Sequence, residues 1–335
     1  MAYTPHEHNI AKINALEPSM KYTGEEPFKL WQENALKKLN ELIGLPFELC
    51  DEDFKIEYET EYEKFKEIRF SFQSEPGYYV PCHFLIPSGA VKPLPVVICL
   101  QGHTTGMHIS LGRAKYPGDE DMIAGGDRDF AIRAVKEGYC ALVIEQRGFG
   151  ECGETVIDDA PQCFKSSMAA ILIGRTTIGE RVWDVQRAID ILEKHFPQVD
   201  ANKIICMGNS GGGTTTFFAA CVEPRIKYAM PSCYFCTFDD SLASIHHCSC
   251  NFIPNIRKYF DMGDLAGLIV PRPLVIVAGK NDDMFPIHGV GKAFAAAQSQ
   301  YKAANAADNI KLVTGNGGHR FYADEGWKTI KPFIK

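Results

Sequence analysis

The stretch at 203–222, KIICMGNSGGGTTTFFAACV, constrains the fold of this chain more than any other. It opens on an apolar run, Ile204-Ile205-Cys206-Met207, that reads as a buried strand. A glycine-flanked turn follows at 208–213, and 214–222 reads as a helix of small residues. Strand, sharp turn and helix are the context in which a G-x-S-x-G pattern presents a serine as a nucleophile. A serine at the tip of such a turn sits in an unfavourable backbone region, where neighbouring side chains would clash. Gly208 and Gly212 remove the Cβ atoms that would collide. The helix directs its free N–H groups at Ser210, so negative charge developing there is stabilised. A phosphate loop is the weaker reading, because no Gly-Lys-Ser/Thr ending places a lysine on phosphates.

The chain can surround that strand with a sheet. Its 335 residues, 45% of them hydrophobic, suit one large α/β domain with an added segment. A formal net charge of −7, with no Lys/Arg-rich run, argues against a nucleic-acid partner. Residues 1–20 hold no apolar core of signal-peptide length, and no apolar run is long enough to span a bilayer. The expectation is a cytoplasmic protein with no membrane partner. The twelve cysteines lie in apolar strands or loops, which fits free thiols in a reducing compartment better than a disulfide framework.

The rest of the chain alternates strands with helices. Residues 1–50 read as an N-terminal helical extension, with Leu30, Trp31, Leu36, Leu39 and Leu42 forming a helical stripe across 28–42. The main domain is expected over 51–335. Residues 53–72 alternate apolar and charged side chains as in a half-exposed hairpin, and 78–86 is the next strand. PVVICL at 95–100 and the run at 139–144 read as strands buried on both faces. Helices are expected at 127–137, 177–196, 287–304 and 323–334, and strands at 228–234, 273–278 and 310–313. Residues 148–166 read as a loop. The alternation implies an α/β fold with a mostly parallel central sheet and helices on both faces. Residues 236–268 break it and read as a cap-like insertion at the pocket rim.

A serine hydroxyl needs an adjacent base, and the base needs an acid that fixes its tautomer. In this fold the chain order is serine, acid, histidine. Past the strand at 273–278 come Asp282 and Asp283, of which Asp282 is preferred as the acid; the loop after 310–313 carries Gly317-Gly318-His319, the base. The oxyanion hole needs two converging amides. Gly211 supplies one. The loop Gln101-Gly102-His103-Thr104 supplies the other, from His103 with Thr104 as the alternative. The His103 side chain reads as pocket lining rather than a second base. His246-His247-Cys248-Ser249-Cys250 carries zinc-type donors, but structural zinc sites draw on two separated pairs and only one compact cluster is visible. Pocket lining is therefore the expectation, with no metal and no cofactor.

These residues together resemble the dienelactone hydrolase and acetyl xylan esterase (cephalosporin-C deacetylase-like) group of α/β-hydrolases. The resemblance runs from about residue 78 to the C-terminus. It rests on 101–103, on Arg147-Gly148-Phe149-Gly150, on Gly174 to Asp190 with its charged residues, on the elbow, on Gly279-x-x-Asp282-x-x-x-Pro286 and on Gly318-His319. It implies Ser210 as nucleophile, Asp282 as acid, His319 as base, and the amides of His103 and Gly211 as the oxyanion hole. It implies a small-molecule ester substrate, with acetyl esters foremost. Two positions depart from the pattern: Gln101 stands where the family usually has histidine, and the elbow reads GNSGG rather than GxSQG. A peptidase on the same fold, or a binding protein on a hydrolase scaffold, are the competing readings; the oligomeric state is open. Arg147, Arg175 and Arg181 are expected in structural ion pairs with Glu145, Glu180 or Asp184.

Overall fold

The computed structural model describes residues 4–153 and 163–334. Among them nine strands form one sheet: β1 Lys55–Glu61, β2 Phe65–Glu75, β3 Tyr78–Pro87, β4 Leu94–Leu100, β5 Cys140–Ile144, β6 Val199–Asn209, β7 Ile226–Ser232, β8 Leu274–Gly279 and β9 Ile310–Gly315. Their order is β1-β2-β3-β5-β4-β6-β7-β8-β9. β4 to β9 run parallel, while β1, β2 and β3 pair antiparallel at one side. The helices are α1 Pro5–Asn14, α2 Phe28–Ile43, α3 Phe130–Lys136, α4 Phe164–Leu172, α5 Thr177–His195, α6 Gly211–Val222, α7 Ile256–Tyr259, α8 Met262–Leu265, α9 Ile287–Ala303 and α10 Ala323–Ile330.

The continuous apolar runs of the parallel strands are explained by two cores, because successive residues of a strand point to opposite faces. Val96, Ile98 and Leu100 of β4 join one core with Val182 and Ile189 of α5, Phe217 of α6 and Ala293 of α9. Val97 and Cys99 join the other, with Phe130 of α3 and Trp327 of α10. The chain therefore has the three-layer α/β architecture that the alternation of elements implies.

The N-terminal stripe is buried only in part: Trp31 and Leu39 are, Leu36 and Leu42 are half-buried, and Leu30 is exposed, because the buried face repeats every four residues through Ala35 and Ile43. Trp31, Ala35, Leu39 and Ile43 of α2 enter the first core, and Gln32 donates to the carbonyls of Gly267 and Val270 at 2.7 and 2.9 Å. Residues 236–268 hold only short helical turns, including α7 and α8. Part of the loop expected at 148–166 lies outside the described residues. At its far end the chain enters α4, a helix the sequence reading did not contain.

Candidate active site

Ser210 stands between β6 and α6, at the N-cap of the helix, with φ 57° and ψ −121°, a strained conformation for a residue with a side chain. The turn is crowded as the sequence requires. A Cβ on Gly208 would stand 2.5 Å from the Leu100 carbonyl oxygen, and one on Gly212 would overlap that same carbonyl. The turn is fixed by Ser210 N–H donating to the Ser232 carbonyl at 2.9 Å and Thr214 N–H donating to the Ser210 carbonyl at 2.8 Å. All of α6 is buried.

Asp282 and His319 arrive on the loops after β8 and β9. His319 Nδ1 lies 2.9 Å from Asp282 Oδ2, while Asp282 Oδ1 accepts from the amides of Met284 and Phe285 at 2.9 and 3.1 Å. Desolvation pushes the Asp282 pKa up, but the bond and charge of His319 and the Phe285 amide outweigh it and hold the carboxyl below its ordinary value. Asp282 is 4% exposed, whereas Asp283 faces solvent. His319 stacks on Phe285 with ring centroids 5.9 Å apart. Ser210, Gly211, His103 and His319 line one cavity of about 230 Å³. A larger cavity of about 570 Å³ lies between α1 and residues around Phe238 and Ile256; it contains neither Ser210 nor His319.

The His103 loop is tightly held. Gln101 Nε2 donates to Ser110 Oγ at 2.7 Å and to the Arg128 carbonyl at 2.8 Å, and the Gln101 carbonyl accepts from Gln146 Nε2. The residue that departs from the family pattern is thus an anchor of this loop. A Cβ on Gly102 would lie 2.6 Å from the Asn209 carbonyl oxygen and 2.9 Å from Ser210 Cβ, so the loop passes against the elbow only with glycine there. Among the described residues the amides of His103 and Gly211 donate to no other group.

The insertion reaches the same cavity. His246, His247, Cys248 and Asn251 line it. Asn251 Oδ1 accepts from Thr214 Oγ1 at 2.8 Å, tying the insertion to α6. His247 Nε2 lies 3.0 Å from Ser241 Oγ, and burial pushes its pKa down to about 4. Cys248 and Cys250 also join Cys163 and His103 in one cluster, whose donor atoms all lie within 4.8 Å of one another.

Two arginines of the expected ion-pair set behave as anticipated. Arg147 holds Asp184 with two bonds of 2.8 Å, and both Arg147 and Arg175 hold Glu75, at 2.6 and 2.5 Å. Glu75 ends β2 and reaches the set only through the sheet. The expectation fails for Arg181, which is 1% exposed and enters no ion pair among the described residues. It donates to the Arg147 carbonyl at 3.0 and 2.7 Å and lies over the Phe149 ring at 4.0 Å, because its position on α5 turns it toward Cys250. Glu145 does not join either; it accepts from the amides of Met107 and Glu151, at 3.0 and 3.2 Å. Arg128 is the wall residue that sequence reasoning missed. It lines the cavity, its Nε is buried without a hydrogen-bond partner, and it enters no ion pair among the described residues.

A family model described as an abhydrolase family matches residues 10–313. The chain belongs to this abhydrolase family. A protein of Bacillus subtilis (strain 168), provisionally named hydrolase YtaP, is 25% identical over 246 residues, covering 71% of this chain and 77% of that protein. A crystal structure from Bacteroides fragilis NCTC 9343, provisionally named acetyl xylan esterase, superposes with a TM-score of 0.78 at 15% identity, covering 98% of this chain and 90% of that one. A glucuronoyl esterase from Solibacter usitatus gives 0.74 at 15% identity, covering 100% and 97%. At such identities the structural likeness establishes the α/β-hydrolase fold. Among the described residues, no helix is long and apolar enough to cross a membrane.

Proposed function

We propose that the protein is a serine hydrolase of small carboxylic esters, with Ser210 as nucleophile, His319 as base and Asp282 as its orienting acid. The observation that carries this is the strained Ser210 turn opening on the same cavity as a histidine whose Nδ1 is held by a buried carboxylate. With Nδ1 on Asp282, Nε2 is the nitrogen left to take a proton. Ser210 Oγ attacks the ester carbonyl carbon and its proton passes to His319. The carbonyl oxygen becomes an oxyanion facing the amides of His103 and Gly211. Collapse expels the alcohol, which takes the proton from His319 and leaves an acyl-serine. Water then gives its proton to His319 and attacks; the acid departs and Ser210 regains its hydrogen.

The substrate class follows from the cavity and its walls. A volume of about 230 Å³ suits a short acyl group and a small alcohol portion, and residues 236–268 act as its cap. The esterases named above act on carbohydrate esters by their names, which supports acetylated sugars as the first substrates to try. Arg128 adds to the wall a positive charge that no described residue pairs, fitting a substrate that carries a carboxylate beside the ester. A cytoplasmic setting accords with twelve unpaired cysteines. The test is covalent trapping: a fluorophosphonate should add once, at Ser210, and abolish p-nitrophenyl acetate hydrolysis. Hydrolysis that survives full labelling, or a label on another residue, would overturn the assignment.

A further inference from the structure

The sequence offers one compact group of zinc-type donors, and the fold supplies the second pair that it lacks. Cys163 precedes α4, and His103 stands in the loop after β4. Their donor atoms meet those of Cys248 and Cys250 beneath the insertion. His103 Nε2 lies 3.3 Å from Cys250 Sγ and 3.6 Å from Cys163 Sγ, and Cys163 Sγ lies 2.7 Å from Cys248 Sγ. Cys163 and Cys250 are buried and Cys248 half-buried.

We propose that His103, Cys163, Cys248 and Cys250 bind one zinc ion, which pins the His103 loop to the insertion.

Three features carry this. The first is geometry. Zinc at about 2.3 Å from sulfur and about 2.0 Å from nitrogen sets tetrahedral donors roughly 3.5–3.8 Å apart. The two histidine–sulfur separations already match, and the Cys163–Cys248 pair has to open by about 1 Å. The second is donor type. Three thiols and one imidazole, with no carboxylate among them, select a soft or borderline cation over calcium or magnesium. A disulfide between any two of the sulfurs would leave a third thiol and the imidazole unused.

The third feature is independent of the donors. Among the described residues Arg181 is buried without a carboxylate partner, and its Nη1 lies 3.6 Å from Cys250 Sγ. A buried guanidinium needs a compensating anion. Zinc with three thiolates and a neutral histidine carries a net charge of −1 and supplies it. The guanidinium, held by the Arg147 carbonyl and the Phe149 ring, then orients a ligating sulfur from outside the coordination sphere. Four protein donors close the coordination sphere, so this ion is structural and takes no substrate. Its consequence for the cavity is positional, since the His103 ring lies against Gly211: a Cβ there would be 3.2 Å from His103 Nδ1.

The test is metal content of the full-length protein, purified under reducing conditions without chelator. About one zinc per chain is expected by mass spectrometry, and Cys163→Ser and Cys250→Ser should each lose it while Cys236→Ser, a buried thiol elsewhere, keeps it. Where a variant fails to fold, the wild type decides by exchange. A mercurial should release the zinc, and cobalt(II) added in its place should show thiolate-to-cobalt charge transfer and the intense visible bands of a tetrahedral site. Zinc below about a tenth of an equivalent, even after reduced protein is incubated with the ion, would overturn the proposal. So would a stoichiometric zinc that survives both serine variants, or a Cys163–Cys248 disulfide in metal-free protein that resists reduction. None of these readouts depends on the role of Ser210.

Discussion

His83 and His319 each set Nδ1 against a buried carboxylate, at 2.6 Å from Glu67 and 2.9 Å from Asp282. Their second nitrogens differ. His83 Nε2 lies 2.9 Å from Arg69 Nη1, a group that does not give up its proton, so the nitrogen accepts and the ring stays neutral. Burial pushes the His83 pKa down further, against the pull of Glu67. Arg113 closes the other side of Glu67, and Glu151 closes Arg69. Both nitrogens of His83 and both oxygens of Glu67 are engaged. His319 Nε2 has no partner among the described residues, and its ring faces the cavity that holds Ser210. A histidine on a carboxylate is therefore not a site by itself. The site is where the far nitrogen is left open beside a nucleophile.

The largest effect should come from the proposed nucleophile. Ser210→Ala is expected to lower kcat/KM for p-nitrophenyl acetate by about 10⁴-fold or more, whereas His83→Gln, corrected for folded protein, stays within about threefold. Comparable losses in both variants would erase the distinction between the two pairs. Next comes the proposed acid: Asp282→Asn should reduce turnover roughly 10³–10⁴-fold and Asp283→Asn by less than about threefold, because only Asp282 touches the imidazole. Damage from Asp283→Asn instead would move the acid by one residue and break the pairing at its root.

The Asp282 and Asp283 case shows what the sequence made legible. Serine, acid and histidine loops follow from strand ends, so apolar runs and glycines were enough to place them. Choosing between adjacent aspartates needed the resemblance, and the turn after β8 supplies the reason by burying one and exposing the other. The metal-type cluster was half visible. Cys248 and Cys250 are neighbours in sequence, but His103 and Cys163 reach them only through the packing of three separate loops. Arg128 was missed for the same reason: an arginine's lack of a partner is a property of the tertiary structure. Arg181 was misread because spacing along α5 puts it among carboxylates, while the helix rotation turns it toward Cys250 and the Arg147 carbonyl.

The third prediction sharpens the structural half of the comparison. Desolvation pushes Glu67 up, but the bonds from His83 and Arg113 bring it down to about 2. A depressed carboxylate contributes stability that is present above its unfolded pKa, about 4.5, and is lost as pH falls toward the folded value. The stability gap between wild type and Glu67→Gln in denaturant titrations should narrow by about 2 kcal/mol between roughly pH 6 and pH 3. A gap independent of pH would mean that Glu67 is not held as an ion, and the contrast with the cavity pair would lose its physical basis.

The smallest expected effect concerns acyl length, and it tests the cavity side alone. The space beside Ser210 is about 230 Å³ and is lined on one side by residues 246–251, with Asn251 bonded to Thr214; the proposed cap would close it. Once a closed pocket is full, each added methylene has to displace packed side chains, which costs roughly 1–3 kcal/mol in total. Until then each methylene gains only the modest free energy of its own burial. Across p-nitrophenyl esters from acetyl to decanoyl, kcat/KM should therefore fall by at least about tenfold, with the break where the acyl chain first meets the insertion. Phe285 stacks on His319 and lines the same wall, so Phe285→Ala should move that break toward longer chains. A flat or rising profile in wild type would show that the insertion does not close the pocket. It would remove the short-acyl assignment while leaving the contrast between His319 and His83 intact, because that contrast depends on the free nitrogen and not on what the cavity admits.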